Sequence, residues 1–348
     1  MTNRLKSGSS IFFIVFTIFS CQKNLERDLP LPVVLPINGI EVNTVNMNIK
    51  LCQWKDDHES SISFTWDDNN WTVKKCSEIF DKYGYKCTFF INPGCYMSNV
   101  LIEDYEQTSK KGFEIGNHGL THTRLDIKGI DDLNNEIIKS KNLLNQKYNS
   151  CLSFAYPFHL TSGLADSIIE QTHPFCRNFI KKNSNVMAMA NDKDYIYSTR
   201  IDSIKKSHSK KTWIIFGGHG IDNNGYNPVP SFEVDSLLKF VSHQNIWVDT
   251  FAEVCKYYLA YQSSEISLTP YSITINNKNN YITKLKNFQV KDCIVTINIE
   301  SVKELDFYGD NIINTSTSTL NNGWFKYLIN IDLIKNNKFE YQYKFMKL

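Results

Sequence analysis

Ser61-Ile62-Ser63-Phe64-Thr65-Trp66-Asp67-Asp68 is an uncharged, largely apolar run that ends in two adjacent carboxylates. A short run of this kind with no helical period reads as a buried strand. The same texture returns in Lys86 to Ile91, Phe113 to Gly116, Cys151 to Ala155, Trp213 to Phe216 and Ile246 to Val248. Amphipathic stretches lie between several of these runs. One carries Leu133, Ile137 and Leu144, and another carries Val234, Leu237, Leu238 and Val241 at i, i+3, i+4, i+7. Thr250 with Glu253 forms a capping-box pattern that opens a last helix to about Tyr261. Repeated β-α units predict a parallel sheet, closed or nearly closed, over residues 51–262.

Outside that region the chain changes character twice. At the N-terminus Arg4 and Lys6 precede the apolar stretch Ile11 to Phe19, then Ser20 and Cys21. The stretch is too short to span a bilayer, and a basic segment before a short apolar one reads as a secretory signal. Cys21 after the small Ser20 resembles the lipobox of bacterial lipoproteins, whose cysteine is lipidated. Residues 1–20 are thus expected to be a signal peptide. Residues 21–50, with Pro30, Pro32 and Pro36, are expected to tether an exported protein to a membrane of the cell envelope, with plain secretion as the alternative. After Gln262, Val295, Ile297 and Ile299 alternate with Thr296 and Asn298. Phe339, Tyr341, Tyr343 and Phe345 alternate with Glu340, Gln342 and Lys344, and Asn322-Gly323 marks a turn. Residues 263–348 should therefore be a small antiparallel β-sandwich packed against the barrel, its aromatics serving the core rather than a sugar platform.

Composition excludes some functions. With 348 residues there is chain for one large domain and a smaller one, and 42% hydrophobic and 13% aromatic content belong to a folded protein. A formal charge of +2 supplies no basic field for nucleic acid. Nine cysteines leave eight if Cys21 is lipidated. Cys76, Cys87 and Cys255 fall inside helix-like or strand-like segments as small apolar residues, and no C-x-x-C occurs, which excludes a cysteine zinc site and leaves room for one or two disulfides at most.

The polar candidates for chemistry follow the predicted strands. Asp67 and Asp68 follow the first, His118 and His122 the third, Tyr156 and Pro157 the fourth, and His219 the one ending at Phe216. In parallel β/α folds these strand ends share one face, where the active site sits. Adjacent carboxylates where a strand curls into its loop can divide labour, Asp68 as a metal ligand and Asp67 as a base; a turn or helix cap before Trp71 is the plainer reading. His118 and His122, four apart, would share a metal from one face of a helical turn. The absence of Glu after His118 excludes the H-E-x-x-H protease motif. One carboxylate and two imidazoles with open positions make a hydrolytic site for zinc or a similar ion.

Phe64-Thr65-Trp66-Asp67-Asp68, His118-Gly119-Leu120-Thr121-His122, Phe154-Ala155-Tyr156-Pro157 and Gly217-Gly218-His219-Gly220 resemble, in order, the motifs of polysaccharide deacetylases, the NodB-homology or carbohydrate esterase family 4. The resemblance covers residues 51–262. It implies a distorted (β/α) barrel and metal-dependent hydrolysis of acetyl groups on a glycan, with N-acetyl amides favoured and O-acetyl esters the second choice. It implies Asp67 as catalytic base, Asp68, His118 and His122 as ligands of a divalent ion (zinc, with cobalt or nickel also suited), His219 as catalytic acid, and the main-chain N–H of Tyr156 as oxyanion donor. Ser153 and Ala155 stand where the family often has an arginine that orients the base, so Arg177, or Arg200 in the strand-like Tyr195 to Ile201, is expected to supply that charge. Phe158 and His159 follow Pro157 where glycine is usual, and Trp247 and Asp249 are candidates to support His219. The alternative is a surface lipoprotein that keeps the barrel only to bind glycan.

Overall fold

The computed structural model describes residues 41–43, 46–148, 150–177, 186–190, 197–269 and 271–343. The expected signal peptide, Cys21 and most of the expected tether lie outside them. A short antiparallel pair comes first, β1 (Glu41–Asn43) and β2 (Met47–Leu51). There follow β3 (Ser60–Asp67), β4 (Thr88–Ile91), β5 (Glu114–Asn117), β6 (Ser153–Ala155), β7 (Phe175–Arg177), β8 (Val186–Ala190), β9 (Trp213–Gly218) and β10 (Ile246–Val248). These pair in parallel in the order β7-β6-β5-β4-β3-β9-β8, with β10 beside the first residues of β3.

The opening run is thus the central strand. Every residue of β3 is buried, which explains its lack of charge before Asp67. Trp66 sits between Phe89 of β4 and Gly218 of β9. The helix Val73–Asp81 turns Val73, Cys76 and Phe80 inward at helical spacing, and the Phe80 ring meets Phe64 edge-on at 5.2 Å. Among the described residues no pairing joins β7 to β8, so the barrel is curled but open. Its curl is measurable. Arg177 of β7 touches Asp67 of β3, although a flat sheet would separate strands four places apart by about 19 Å.

The six runs read as strands are strands, and β7 and β8 are additional. The stretch Tyr195 to Ile201 departs from expectation, because a helix begins at Tyr197 and runs to Ser209. From Arg200 onward its buried residues are Arg200, Ile201, Ile204 and Ser207, a helical spacing that the β-branched and aromatic character of the segment masked. Thr250 does cap the helix Phe251–Gln262, its side chain accepting from the Glu253 N–H.

The remaining strands are β11 (Ser264–Thr269), β12 (Ser272–Asn277), β13 (Ile294–Ser301), β14 (Leu305–Tyr308), β15 (Ile312–Thr319), β16 (Phe325–Asp332) and β17 (Lys338–Tyr343). They form two antiparallel sheets, β1-β2-β13-β16-β15 and β11-β12-β17-β14. The turn at Asn322-Gly323 joins β15 to β16, with Gly323 at φ 82°. The alternating Val295, Ile297 and Ile299 are buried, as are Phe339 and Tyr341.

One boundary differs from the sequence expectation. β2 pairs with β13, Ile49 opposite Ile299, and with β1, so the strands Glu41–Asn43 and Met47–Leu51 belong to a sheet of the β region and not to a tether. Met47, Ile49 and Leu51 are buried between Asn48 and Lys50, a period-two pattern too short to stand out. The link to β3 is packed on both sides. Trp54 stacks on Tyr258 at 5.5 Å, Asp57 accepts from Lys326 (2.9 Å) and Asn298 (3.0 Å), and the Tyr257 hydroxyl donates to the Cys52 carbonyl (2.8 Å). One apolar core therefore runs from both β sheets into the helix Phe251–Gln262. No disulfide joins the described cysteines. No helix among the described residues is long and apolar enough to cross a membrane.

Candidate metal centre

Asp67 is the last residue of β3, and Asp68 leaves the strand at φ 68°. An aspartate tolerates this left-handed conformation, and it breaks the alternation that would send neighbouring side chains to opposite faces. Asp68 Oδ1 lies 3.8 Å from His118 Nε2 and 3.4 Å from His122 Nε2. The ligand atoms of the three residues all fall within 4.8 Å of one another. The histidines are not on a helix, contrary to the spacing argument. His118 follows β5, the loop passes Gly119 at φ 81°, and His122 sits at φ 55°, with the two rings 5.0 Å apart.

Side chains from three further elements hold that loop. Glu136 lies in a π turn, Asn135–Lys139, within the helical stretch 130–147. Its Oε2 accepts the N–H groups of Leu120 and Thr121, both at 2.9 Å, and its Oε1 accepts the Thr121 hydroxyl. Wide turns of this type aim a side chain that a regular helix would direct elsewhere. Asn117 Oδ1 accepts from the Gly119 N–H and the Ser140 hydroxyl, and Asn92 donates to the His118 carbonyl. Sequence reasoning missed Glu136, Asn117 and Asn92, whose types and neighbours in the chain carry no signal of this role.

His118 is fully oriented. Its Nδ1 lies 2.9 Å from the Ala155 carbonyl, which can only accept, so Nδ1 carries the hydrogen and Nε2 presents its lone pair to the site. Burial pushes its pKa down to about 4 against the attraction of Asp67 and Asp68, so the ring is neutral, as a ligand must be.

Asp67 is also buried. Arg177 Nη2 donates to its Oδ2 at 2.5 Å, while Nη1 donates to Thr65 Oγ1, and the guanidinium lies over the Phe90 ring at 4.7 Å. Burial would raise the Asp67 pKa, but the fields of Arg177 and His118 outweigh it and hold the carboxyl down at about 2. The other oxygen, Oδ1, is buried and has no hydrogen-bond partner among the described residues. An ionised oxygen with its lone pairs unspent is what a general base requires.

His219 follows β9. Its carbonyl accepts from Asn70 Nδ2 (2.7 Å), its ring stands perpendicular to Tyr226 at 5.4 Å, and its Nδ1 is buried without a partner among the described residues. Two expected supports are elsewhere. Trp247 Nε1 donates to Asp249 Oδ2 at 3.3 Å, and Asp249 also caps Thr250; β10 borders only the start of β3, so this pair lies well below the strand ends. Arg200 pairs with Glu233 at 2.7 Å, which leaves Arg177 as the tuning cation. The Tyr156 N–H is directed at the Arg177 carbonyl (3.4 Å) and its hydroxyl at Asp166 (2.8 Å), so Tyr156 packs behind the site and offers no oxyanion donor. Pro157 is buried against Gly119.

The donor set suits a divalent ion, with one carboxylate, one tautomer-fixed imidazole and a second imidazole converging beside an unpartnered carboxylate oxygen. Residues 55–172 match the family model described as polysaccharide deacetylase. No curated protein sequence matches the chain. Among solved structures, the Xyl-CE4 domain of a multidomain xylanase from the hindgut metagenome of Trinervitermes trinervoides is 16% identical, with 56% of this chain and 89% of that one covered and a TM-score of 0.43. A family 4 acetyl xylan esterase from Clostridium thermocellum, with a cobalt ion, is 17% identical over 56% and 90% of the two chains, at 0.44. A CE4 family pseudoenzyme from Bacillus anthracis is 15% identical over 56% and 65%, at 0.41.

Proposed function

With residues 55–172 a polysaccharide deacetylase domain, we propose that this chain hydrolyses acetyl groups from a glycan at the Asp68-His118-His122 centre. The observation that carries the proposal is the ionised, buried Asp67 with one oxygen on Arg177 and the other unspent beside three converging ligands. A divalent ion held by Asp68, His118 and His122 would polarise the acetyl carbonyl and ease deprotonation of the attacking water. Asp67 Oδ1 takes the proton from that water, and Arg177 keeps Asp67 ionised and in place. His219 gives a proton to the departing nitrogen or oxygen. An amine leaves poorly without that proton, so the presence of His219 supports N-acetyl substrates over O-acetyl ones.

With the Tyr156 N–H engaged, the Phe158 N–H is the next main-chain donor. It belongs to the first turn of the short helix Pro157–His159, where N–H groups have no helical acceptor, and its own ring lies against His122. Zinc is the proposed ion, since carboxylate with two imidazoles is an ordinary zinc set. The basic and apolar N-terminal segment ending at Cys21 supports export and lipid anchoring. The test is acetate release from acetylated chito-oligosaccharides and acetylated xylan, before and after chelation and on return of zinc. Release that chelation abolishes and zinc restores is the expected result. Glycan binding without acetate release from any substrate would sink the enzyme reading.

A further inference from the structure

The helices Asn99–Lys110 and Ser140–Lys147, with the loop that follows β4, leave a cavity of about 160 Å³ between them. Pro93, Cys95 and Met97 line it from the loop, and Ile102, Leu143 and Leu144 from the helices. Tyr148 lines it as well. That residue is 9% exposed, and its hydroxyl is buried with no hydrogen-bond partner among the described residues. None of these side chains belongs to the metal centre or to its base and acid.

Protein interiors are close-packed, so a void of this size is uncommon. A buried hydroxyl left unpaired adds a cost of its own, and a position that needed only an apolar ring would carry phenylalanine. The backbone of Tyr148 is fixed, since its N–H closes the helix on the Leu144 carbonyl at 2.8 Å. Burial, with the charge of Glu106 adding to it, pushes the Tyr148 pKa up to about 12. The hydroxyl is therefore neutral, able both to donate and to accept.

The walls select what can enter. A cavity of about 150 Å³ with apolar walls admits one benzene-sized ring. Apart from the Tyr148 hydroxyl, the lining side chains offer only a thiol and a thioether, both weak partners. A sugar would leave most of its hydroxyls unpaired there, so the cavity is not a place for glycan. At its edge Ile102 and the exposed Lys147 also border a shallow groove that holds Glu103, Glu106 and Lys110. Two carboxylates offset two ammonium groups in that groove, so it does not favour an anionic ligand over a neutral one.

We propose that this cavity is a binding site separate from the metal centre, and that it takes a neutral six-membered ring bearing one hydroxyl, with the ring among the apolar side chains and the hydroxyl on Tyr148 Oη.

Phenol and toluene are suitable probes, because they are nearly equal in shape and differ in the hydroxyl. Each is titrated calorimetrically into the full chain. Phenol should bind at one site with a Kd of roughly 0.1–1 mM. Tyr148→Phe should weaken phenol about fivefold and leave toluene unchanged. Leu143→Phe and Ile102→Phe, which fill the cavity from different helices, should each abolish binding of both probes; the Tm of each variant shows that it is folded, and either one suffices if the other is not. The absence of saturable phenol binding overturns the site, as does binding that survives the filling variants. Equal losses of phenol and toluene in Tyr148→Phe overturn the assigned hydroxyl contact. A Tyr148→Phe chain whose Tm falls without any probe would show the hydroxyl already paired by a bound water, and would overturn the site too. Every readout is independent of acetate release, so the deacetylase reading stands or falls apart from this one.

Discussion

Arg177 Nη2 lies 2.5 Å from Asp67 Oδ2, in a contact that joins the edge strand of the barrel to its central strand. Removing the cation leaves a buried carboxylate whose burial is no longer opposed, so its pKa must rise. With Arg177 present, Asp67 is ionised at every pH above about 3. Arg177→Lys keeps a charge but loses the fork that holds Asp67 and Thr65 together. Its pH profile of kcat/KM should gain an acid limb displaced toward neutrality, and Arg177→Ala should in addition lose about 3–5 kcal/mol of stability. An unshifted profile in both variants would remove Arg177 from its positioning role.

Base and ligand should separate experimentally. Asp67→Asn is expected to lower kcat by roughly 10²–10⁴ while bound metal, measured by elemental analysis, stays near one ion per chain. His122→Ala should lose the ion itself. Equal metal loss in both would place Asp67 among the ligands.

Glu136 touches no ligand, yet it holds the N–H groups of Leu120 and Thr121 between the two histidines. Glu136→Ala should weaken zinc affinity about 10–100-fold, the usual cost of losing an outer support. Metal titration against a competing chelator checks this. Turnover at saturating zinc should recover most of the loss, and failure to recover would give Glu136 a role beyond the loop.

Acid should destabilise the metal-free protein before its carboxylates titrate. His118 has its folded pKa depressed to about 4 from 6.5, and burial puts His173 well below 6.5. Each is neutral in the fold and gains its proton on unfolding, so its contribution is fully present above pH 6.5 and is lost as pH falls through the folded pKa. Asp67, held near 2 against 3.8 unfolded, still contributes at pH 5 and gives way only below about 4. The Tm of the chelated protein should fall between pH 7 and 5. His173→Gln, which can still accept from Asn117, should reduce that slope, and an equal slope would locate the sensitivity elsewhere.

What the sequence revealed of the site follows from distance along the chain. Asp67 with Asp68, and His118 with His122, are close enough in sequence to appear as motifs, and their strands are apolar enough to place them on one face. The cation was narrowed to Arg177 or Arg200, because a guanidinium that crosses a curled sheet from 110 residues away leaves no local pattern. Glu136 stayed hidden because its position depends on a π turn that no residue type announces. Trp247 and Asp249 looked suitable by type, but β10 borders the wrong end of β3. The strand β2 was obscured by its brevity, although its alternation is regular.

That strand bears on how the molecule is made. β2 leaves the ribosome before any of the barrel, while its partner β13 is among the later segments; the nearby Asp57 and Asn298 bond across 241 residues. At roughly 5–20 residues per second, synthesis of the intervening chain takes about 12–50 s. For that interval Met47, Ile49 and Leu51 have no sheet to enter. The barrel can curl and gather its ligands as it emerges, but the β region must close last, around a domain already in place.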